Sequence, residues 1–178
     1  MKLSTLFHSI GLAGLKKDVE ISFITDDSRK CREKTLFVCN EGAEKFIEEA
    51  RKNGAVAVLS RSGAGESYET NDTRKAYSTL CRCFFGYPEK ALRLIGVTGT
   101  DGKTTTASMI AYILNLSGRK TGLISTVFCS DGEEKSESTM TTPDCFETSR
   151  VLRSLADNGG EFCVIEASSQ GLVQQRLS

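Results

Sequence analysis

The stretch that decides the fold is LRLIGVTGTDGKTTTASMIAYIL, Leu92 to Leu114. A short apolar run, Leu92 to Val97, reads as a strand. It breaks into a turn bounded by Gly99 and Gly102. Lys103 follows, then Thr104, Thr105 and Thr106, then apolar residues at helical spacing. Strand, glycine turn and helix in that order form the unit on which α/β sheets bind phosphates.

The chemistry of the turn follows from its backbone. Small residues leave N–H groups exposed at a strand-to-helix turn, and the helix N-terminus adds its positive dipole end. Gly99 and Gly102 can take backbone angles closed to other residues. Lys103 brings a mobile positive charge for the outer phosphates. The Thr104 hydroxyl is placed to ligate Mg2+. The general pattern G-x-x-x-x-G-K-[ST] fails by one position: its first glycine would fall on Val97, and the glycines stand at 96 and 99. The bland alternative is a glycine-rich helix start with an exposed lysine, which the strand–turn–helix context disfavours.

Outward from this stretch the pattern repeats. Upstream, VEISFI (Val19–Ile24), TLFVC (Thr35–Cys39) and AVAVLS (Ala55–Ser60) read as strands. AEKFIEEARKNG reads as a helix through Phe46, Ile47 and Ala50, stopped at Gly54, and TRKAYSTLCRCFFG as a second, stopped by Gly86 and Pro88. SGAGESYETND is a loop, and GYPEKA a linker. Downstream come the strand KTGLIST, a polar hairpin-like stretch CSDGEEKSES, a helix DCFETSRVLRSLADNG and the strand EFCVIEAS. The expected fold class is α/β: a small N-terminal α/β substrate-binding domain over residues 1–88, then an incomplete P-loop-type parallel-sheet ATPase domain over 89–178. About three parallel strands are expected in the second block, where a doubly wound sheet generally has five or more, so that block reads as truncated.

Composition narrows the function. Lys+Arg and Asp+Glu both number 23, so no basic field points to nucleic acid. No apolar run approaches the length of a membrane span. The first residues, MKLSTLFHSIGLAGLKKD, are interrupted by Ser4, Thr5, His8 and Ser9, unlike a signal peptide. A cytoplasmic location is expected. The seven cysteines form no CxxC pair and read as reduced, mostly buried thiols.

With these residues in hand, GVTGTDGKTTT resembles the ATP-binding signature of the Mur ligases, T-G-T-[ND]-G-K-[ST]-[ST]. TDDSR (Thr25–Arg29) followed by TLFV, TTPD (Thr141–Asp144) and EASSQGLVQQR (Glu166–Arg176) are similar, in order and spacing, to the UDP-N-acetylmuramoyl-tripeptide synthetase branch. The resemblance covers essentially the whole chain, as the N-terminal part of a longer protein. It implies an ATP- and Mg2+-dependent ligase that joins an amino acid to UDP-MurNAc-L-Ala-D-Glu, with an acyl phosphate formed first. It also implies site residues. Gly99, Thr100, Asp101, Gly102, Lys103, Thr104 and Thr105 would hold ATP. Lys103 and Glu166 would be catalytic, and Thr104 and Glu166 would bind the metal. Ser28 would contact the uridine end of the substrate; Thr141, Thr142, Ser168, Gln174 and Arg176 would bind its muramoyl-peptide part. The diaminopimelate- and lysine-adding members remain open alternatives.

Several of these residues have plainer roles available. Thr142 reads equally as a helix N-cap with Pro143 at the first helical position. Ser28 reads as satisfying the turn after Asp26-Asp27. Glu166 reads as a solvated strand-end carboxylate. The sequence also departs from the resemblance. LFVCNEGAEKFIEEA is contracted where the family carries a longer loop that helps hold the UDP-sugar, and Gln170 stands where histidine is common. The segment with the carbamylated lysine and the C-terminal domain are not present. The expectation is therefore weak nucleotide or UDP-substrate binding without ligation by this chain alone. The alternative is a non-catalytic nucleotide- or UDP-sugar-binding module descended from the family. An unrelated P-loop phosphotransferase is disfavoured by EASSQGLVQQR.

Overall fold

A computed structural model describes residues 1–15, 17–64, 67–138 and 140–177. The chain divides into two compact units, Met1–Phe84 and Phe85–Ser178.

The first unit runs α1 (Leu3–Ser9), β1 (Phe23–Thr25), β2 (Thr35–Val38), α2 (Ile47–Lys52), β3 (Ala55–Ser60), β4 (Tyr68–Glu69) and α3 (Thr73–Phe84). Its sheet is parallel throughout, in the order β1-β2-β3-β4. The strand expected at Val19 begins only at Phe23. Residues 19–21 are occupied with the N-terminus instead: Leu3 N–H donates to Val19 O, Ile21 N–H to Met1 O, and Lys2 and Glu20 form an antiparallel bridge. The alternation was real, but its partner was a terminal segment with no strand signal. The helix expected from Ala43 opens with a tighter 3-10 turn, Glu44–Phe46, which leaves Phe46 exposed while Ile47 and Ala50 are buried against Phe37 and Val58. Gly54 follows at φ +106°, and a Cβ there would lie 2.7 Å from the Arg32 carbonyl carbon. The backbone approach, not only the helix stop, requires glycine. β4, too short to register as a pattern, lies within the expected loop.

The second unit runs β5 (Arg93–Val97), α4 (Lys103–Leu116), β6 (Thr121–Ile124), β7 (Phe128–Ser130), β8 (Lys135–Glu137), α5 (Cys145–Asp157), β9 (Phe162–Glu166) and α6 (Ser169–Val173). The sheet order is β5-β9-β6-β7-β8. β5, β9 and β6 are parallel, and β7 and β8 close as the antiparallel hairpin. The α/β class expected from sequence is the class observed. The expected linker GYPEKA is ordered here: Pro88–Lys90 form a 3-10 turn, and Phe85 packs edge-on against Phe146 of α5 with ring centroids 4.9 Å apart.

Alternation along the strands covers both faces. Leu123 and Val164 pack against Ala107 and Ala111 of α4. Ile124, Cys163 and Ile165 pack against Val151, Leu152 and Leu155 of α5. The alanines let α4 approach the sheet closely. Asn115 fastens the far end of α4 to β6, accepting from Thr121 N–H at 3.1 Å and donating to Thr121 O at 3.1 Å. The outward face of α4 carries Met109, Tyr112, Ile113 and Leu116, all exposed. Among the described residues, no helix is long and apolar enough to cross a membrane.

Candidate functional site

The register pairs Val97 of β5 with Glu166 of β9, and Ile124 of β6 with Ile165. The carboxyl ends of the three parallel strands are therefore level. The loop after β5, the turn after β6 and the segment after β9 emerge side by side, where parallel α/β sheets place ligands.

The first loop bends at Gly99 (φ 151°) and Gly102 (φ 75°), and Gly102 is the residue immediately before α4. Lys103 opens the helix and curls back. Its ammonium donates to Gly99 O at 2.8 Å and Thr100 O at 3.1 Å. Thr104 lies on the same helical face as the buried Ala107 and Ala111, so its side chain is turned toward the sheet.

There it meets Glu166, whose side chain is 0% exposed. The Thr104 hydroxyl donates to Glu166 Oε2 at 3.0 Å. Thr126 N–H donates to Oε1 at 3.0 Å, and the Thr126 hydroxyl to Oε2 at 3.2 Å. The reading of Glu166 as a solvated strand-end carboxylate is therefore corrected: the packing of α4 and of the turn after β6 closes over it. All three of these donors are neutral. Among the described residues no group of three or more His, Cys, Asp or Glu side chains could hold a metal ion. Glu166 and Thr104 offer hard oxygen donors of the kind Mg2+ takes; two donors alone would leave most of its octahedral positions to other oxygens.

Thr126 was missed by sequence reasoning. Its signal was position alone: it follows β6 at the level where β9 ends. Ser125, fully buried, shapes that turn by donating from both N–H and Oγ to Phe128 O, at 3.1 and 2.8 Å.

A second set of residues gathers on the other side of Glu166. The hydroxyl oxygens of Thr126 and Thr141 are 3.0 Å apart. The Thr142 hydroxyl donates to Glu166 O at 2.8 Å and receives Ser168 N–H at 3.0 Å. Ser168 Oγ in turn accepts from Gly171 N–H at 3.0 Å and so caps α6. Arg176 donates to Thr142 O and to Gln174 Oε1, both at 2.6 Å. Thr141, Thr142, Ser168, Gln174 and Arg176 are thus brought into one hydrogen-bonded cluster around the end of β9. The capping role considered for Thr142 is corrected: Asp144 is the N-cap of α5, its side chain accepting from Glu147 N–H at 2.9 Å. Pro143 therefore precedes the cap, and the Thr142 hydroxyl is spent on Glu166 and Ser168.

Ser28 belongs to the first unit. It is buried, and its hydroxyl donates to the Glu49 carboxylate on α2, while Asn53 Nδ2 donates to Ser28 O at 3.0 Å. Its suggested role in the turn is also corrected. Thr25 Oγ1 accepts from Asp27 N–H at 3.1 Å, and Asp27 accepts from Arg29 N–H at 3.0 Å. The Arg29 guanidinium holds the Asp27 carboxyl below its ordinary value. The contracted loop is tied by Asn40, which donates to Asp26 at 3.1 Å and accepts from the Thr73 hydroxyl at 3.0 Å. Gln170 is exposed on α6. All seven cysteines are buried thiols outside any disulfide.

The Mur ligase middle domain matches residues 97–178. The chain is 36% identical over 186 residues to the UDP-N-acetylmuramoyl-L-alanyl-D-glutamate--2,6-diaminopimelate ligase of Listeria monocytogenes, covering 99% of this chain and 38% of that protein. A solved structure of a ligase of the same description superposes with a TM-score of 0.79 at 26% identity, over 99% of this chain and 38% of the other. The fold is shared with the MurF ligase of Thermotoga maritima, solved in complex with ADP, at a TM-score of 0.50 and 24% identity over 82% and 32% of the two chains. The chain thus spans 38% of the length of such relatives. A phosphate-type loop, a buried glutamate beside its threonine and the matched middle domain together identify the chain as a member of the Mur ligase family.

Proposed function

We propose that this chain is the N-terminal part of an ATP-dependent peptide ligase of peptidoglycan precursor synthesis. The whole protein would add an amino acid to UDP-MurNAc-L-Ala-D-Glu in the cytoplasm. In this reading residues 1–88 form the UDP-substrate domain, with Ser28 at the uridine end, and residues 89–178 the first part of the ATP-binding domain. The observation that carries it is the hydrogen bond from Thr104 to the buried Glu166 at the mouth of the glycine loop.

The residues divide the work. The backbone from Gly99 to Thr105 and the Lys103 ammonium hold the triphosphate, mainly by placement and charge neutralisation. Lys103 leaves its loop carbonyls to do so. Glu166 and Thr104 would hold Mg2+, which would supply charge neutralisation for the phosphates. Thr141, Thr142, Ser168, Gln174 and Arg176 orient the muramoyl peptide so that its carboxylate faces the terminal phosphate. Arg176, with its planar fork, suits a carboxylate or phosphate. Phosphorylation of that carboxylate gives an acyl phosphate, and the incoming amine displaces phosphate.

Alone, the 178-residue chain is expected to bind Mg-ATP weakly and to form no product. Calorimetry with Mg-ATP and with UDP-MurNAc-L-Ala-D-Glu, with Lys103→Ala as control, tests the reading. Heat of Mg-ATP binding that vanishes in the variant supports it; no Lys103-dependent binding removes it.

A further inference from the structure

We infer that Thr126 is a positioning residue for the metal-binding carboxylate, and that it links this carboxylate to the substrate side of the site; the inference rests on the nucleotide reading above. Thr126 is the one residue that bonds both oxygens of Glu166 among the contacts described: N–H to Oε1 at 3.0 Å and hydroxyl to Oε2 at 3.2 Å. Two donors from one residue form a fork that fixes the plane of a carboxylate. Thr104 alone, bonding only Oε2 at 3.0 Å, leaves that plane free to rotate. Orientation matters because a hard cation needs an oxygen lone pair aimed at it, and partners behind a ligand set that aim.

The backbone half of the fork is built into the chain. Ser125 pins the turn through Phe128 O, and Ser138 N–H closes it further on Val127 O at 3.3 Å. The hydroxyl half is the choice of side chain. A carboxylate is an acceptor only, and it outcompetes a neutral hydroxyl for the single Thr126 proton. The proton therefore points to Glu166 Oε2 at 3.2 Å, with Thr141 Oγ1, 3.0 Å away, as its other acceptor. One hydroxyl thus touches both the metal ligand and a threonine of the substrate side.

The test uses the full chain and Mn2+ as the probe cation, with ADP, read by electron paramagnetic resonance and by calorimetry. Thr126→Val keeps the shape and the backbone N–H and removes only the hydroxyl; Thr126→Ser restores it. The expected result is Mn2+ binding to the nucleotide complex weakened about tenfold or more in Thr126→Val, within the 10–100-fold range of partners behind a metal ligand. Thr126→Ser is expected to recover wild-type binding. Metal-free ADP binding should change little in either variant; Thr126→Val should melt somewhat earlier, as any loss of a hydroxyl donor to the buried Glu166 does, but cooperatively and from a fully folded state at the assay temperature, which separates orientation from unfolding. Wild-type Mn2+ affinity in Thr126→Val overturns the inference. So does a Thr126→Ser variant as impaired as Thr126→Val, since a bulk effect rather than the hydroxyl would then be responsible. Absence of Lys103-dependent nucleotide binding in the wild type overturns the functional reading itself, and this inference with it.

Discussion

Thr104 and Glu166 lie 62 positions apart in sequence, and their side chains meet at 3.0 Å. The contact exists because two independent features agree. Parallel pairing places the end of β9 beside the end of β5. Ala107 and Ala111 let α4 sit close enough to the sheet for a threonine one turn earlier to reach a strand-end carboxylate. Thr104→Val should break the hydrogen bond while keeping the shape. A lost bond to a charged group contributes about 1.5–3 kcal/mol. Its remaining Thr126 donors keep Glu166 partly satisfied, so destabilisation at the lower end, about 1–2 kcal/mol, is expected. Urea melts measure it, and Thr104→Ser should recover most of the loss.

Lys103 offers the opposite case. Its ammonium bonds to Gly99 O and Thr100 O, but the residue is only half-buried and the loop around it is open to water. Water can replace those bonds in Lys103→Ala, so stability should stay within about 0.5 kcal/mol of wild type. Mg-ATP binding should fall at least about tenfold, since a cation facing phosphates is lost. A large stability loss with unchanged nucleotide binding would assign the lysine to the fold instead.

Gly171 is a glycine for reasons of space rather than backbone angle. A Cβ there would lie 2.8 Å from Thr142 Cβ and 2.9 Å from Thr142 Oγ1. Thr142 is itself tied to Glu166 O and Ser168, so it cannot retreat without breaking those bonds. Gly171→Ala should therefore cost about 1–3 kcal/mol, the usual penalty of overpacking. The loss should concentrate at α6, because Ser168 and Gly171 are its capping pair. Hydrogen exchange should show faster exchange of amides 171–176, with β5 and β6 protected as before.

Much of this was legible in the sequence. The run Leu92–Leu114 announced strand, turn and helix because apolar periodicity, glycines and threonines all pointed the same way. Ala55–Ser60 matched its strand end to end. What sequence could not supply was partnership. Residues 19–21 alternate as a strand does, yet they pair with the N-terminus. Thr142 reads as the N-cap from sequence, yet Asp144 takes that place, and the Thr142 hydroxyl is claimed by Glu166 and Ser168. Thr126 carried no local signal, since its role comes from where β6 ends relative to β9. Glu166 could be named from its motif, but its burial depends on residues contributed by α4 and by the turn after β6.

The last prediction concerns pH. Cys31 and Cys39 lie in one buried cluster with Phe37, Ile47, Ala50 and Val58. Burial, reinforced by nearby acidic groups, pushes both thiols from 9.0 up to about 11. Below the unfolded value both are neutral in either state, and their contribution to stability is fully present. As pH rises past 9.0, thiols in the unfolded chain ionise while the folded ones do not, so protons are lost preferentially from the unfolded state and stability falls. The fall runs up to the folded value of about 11. Urea midpoints should therefore drop between about pH 8 and about pH 10.5, at the lower edge of lysine titration. A Cys31→Ala, Cys39→Ala double variant will be less stable at neutral pH from lost packing. Its decline across that window should nonetheless be shallower than that of the wild type. Equal slopes in the two proteins would place the alkaline sensitivity in other groups.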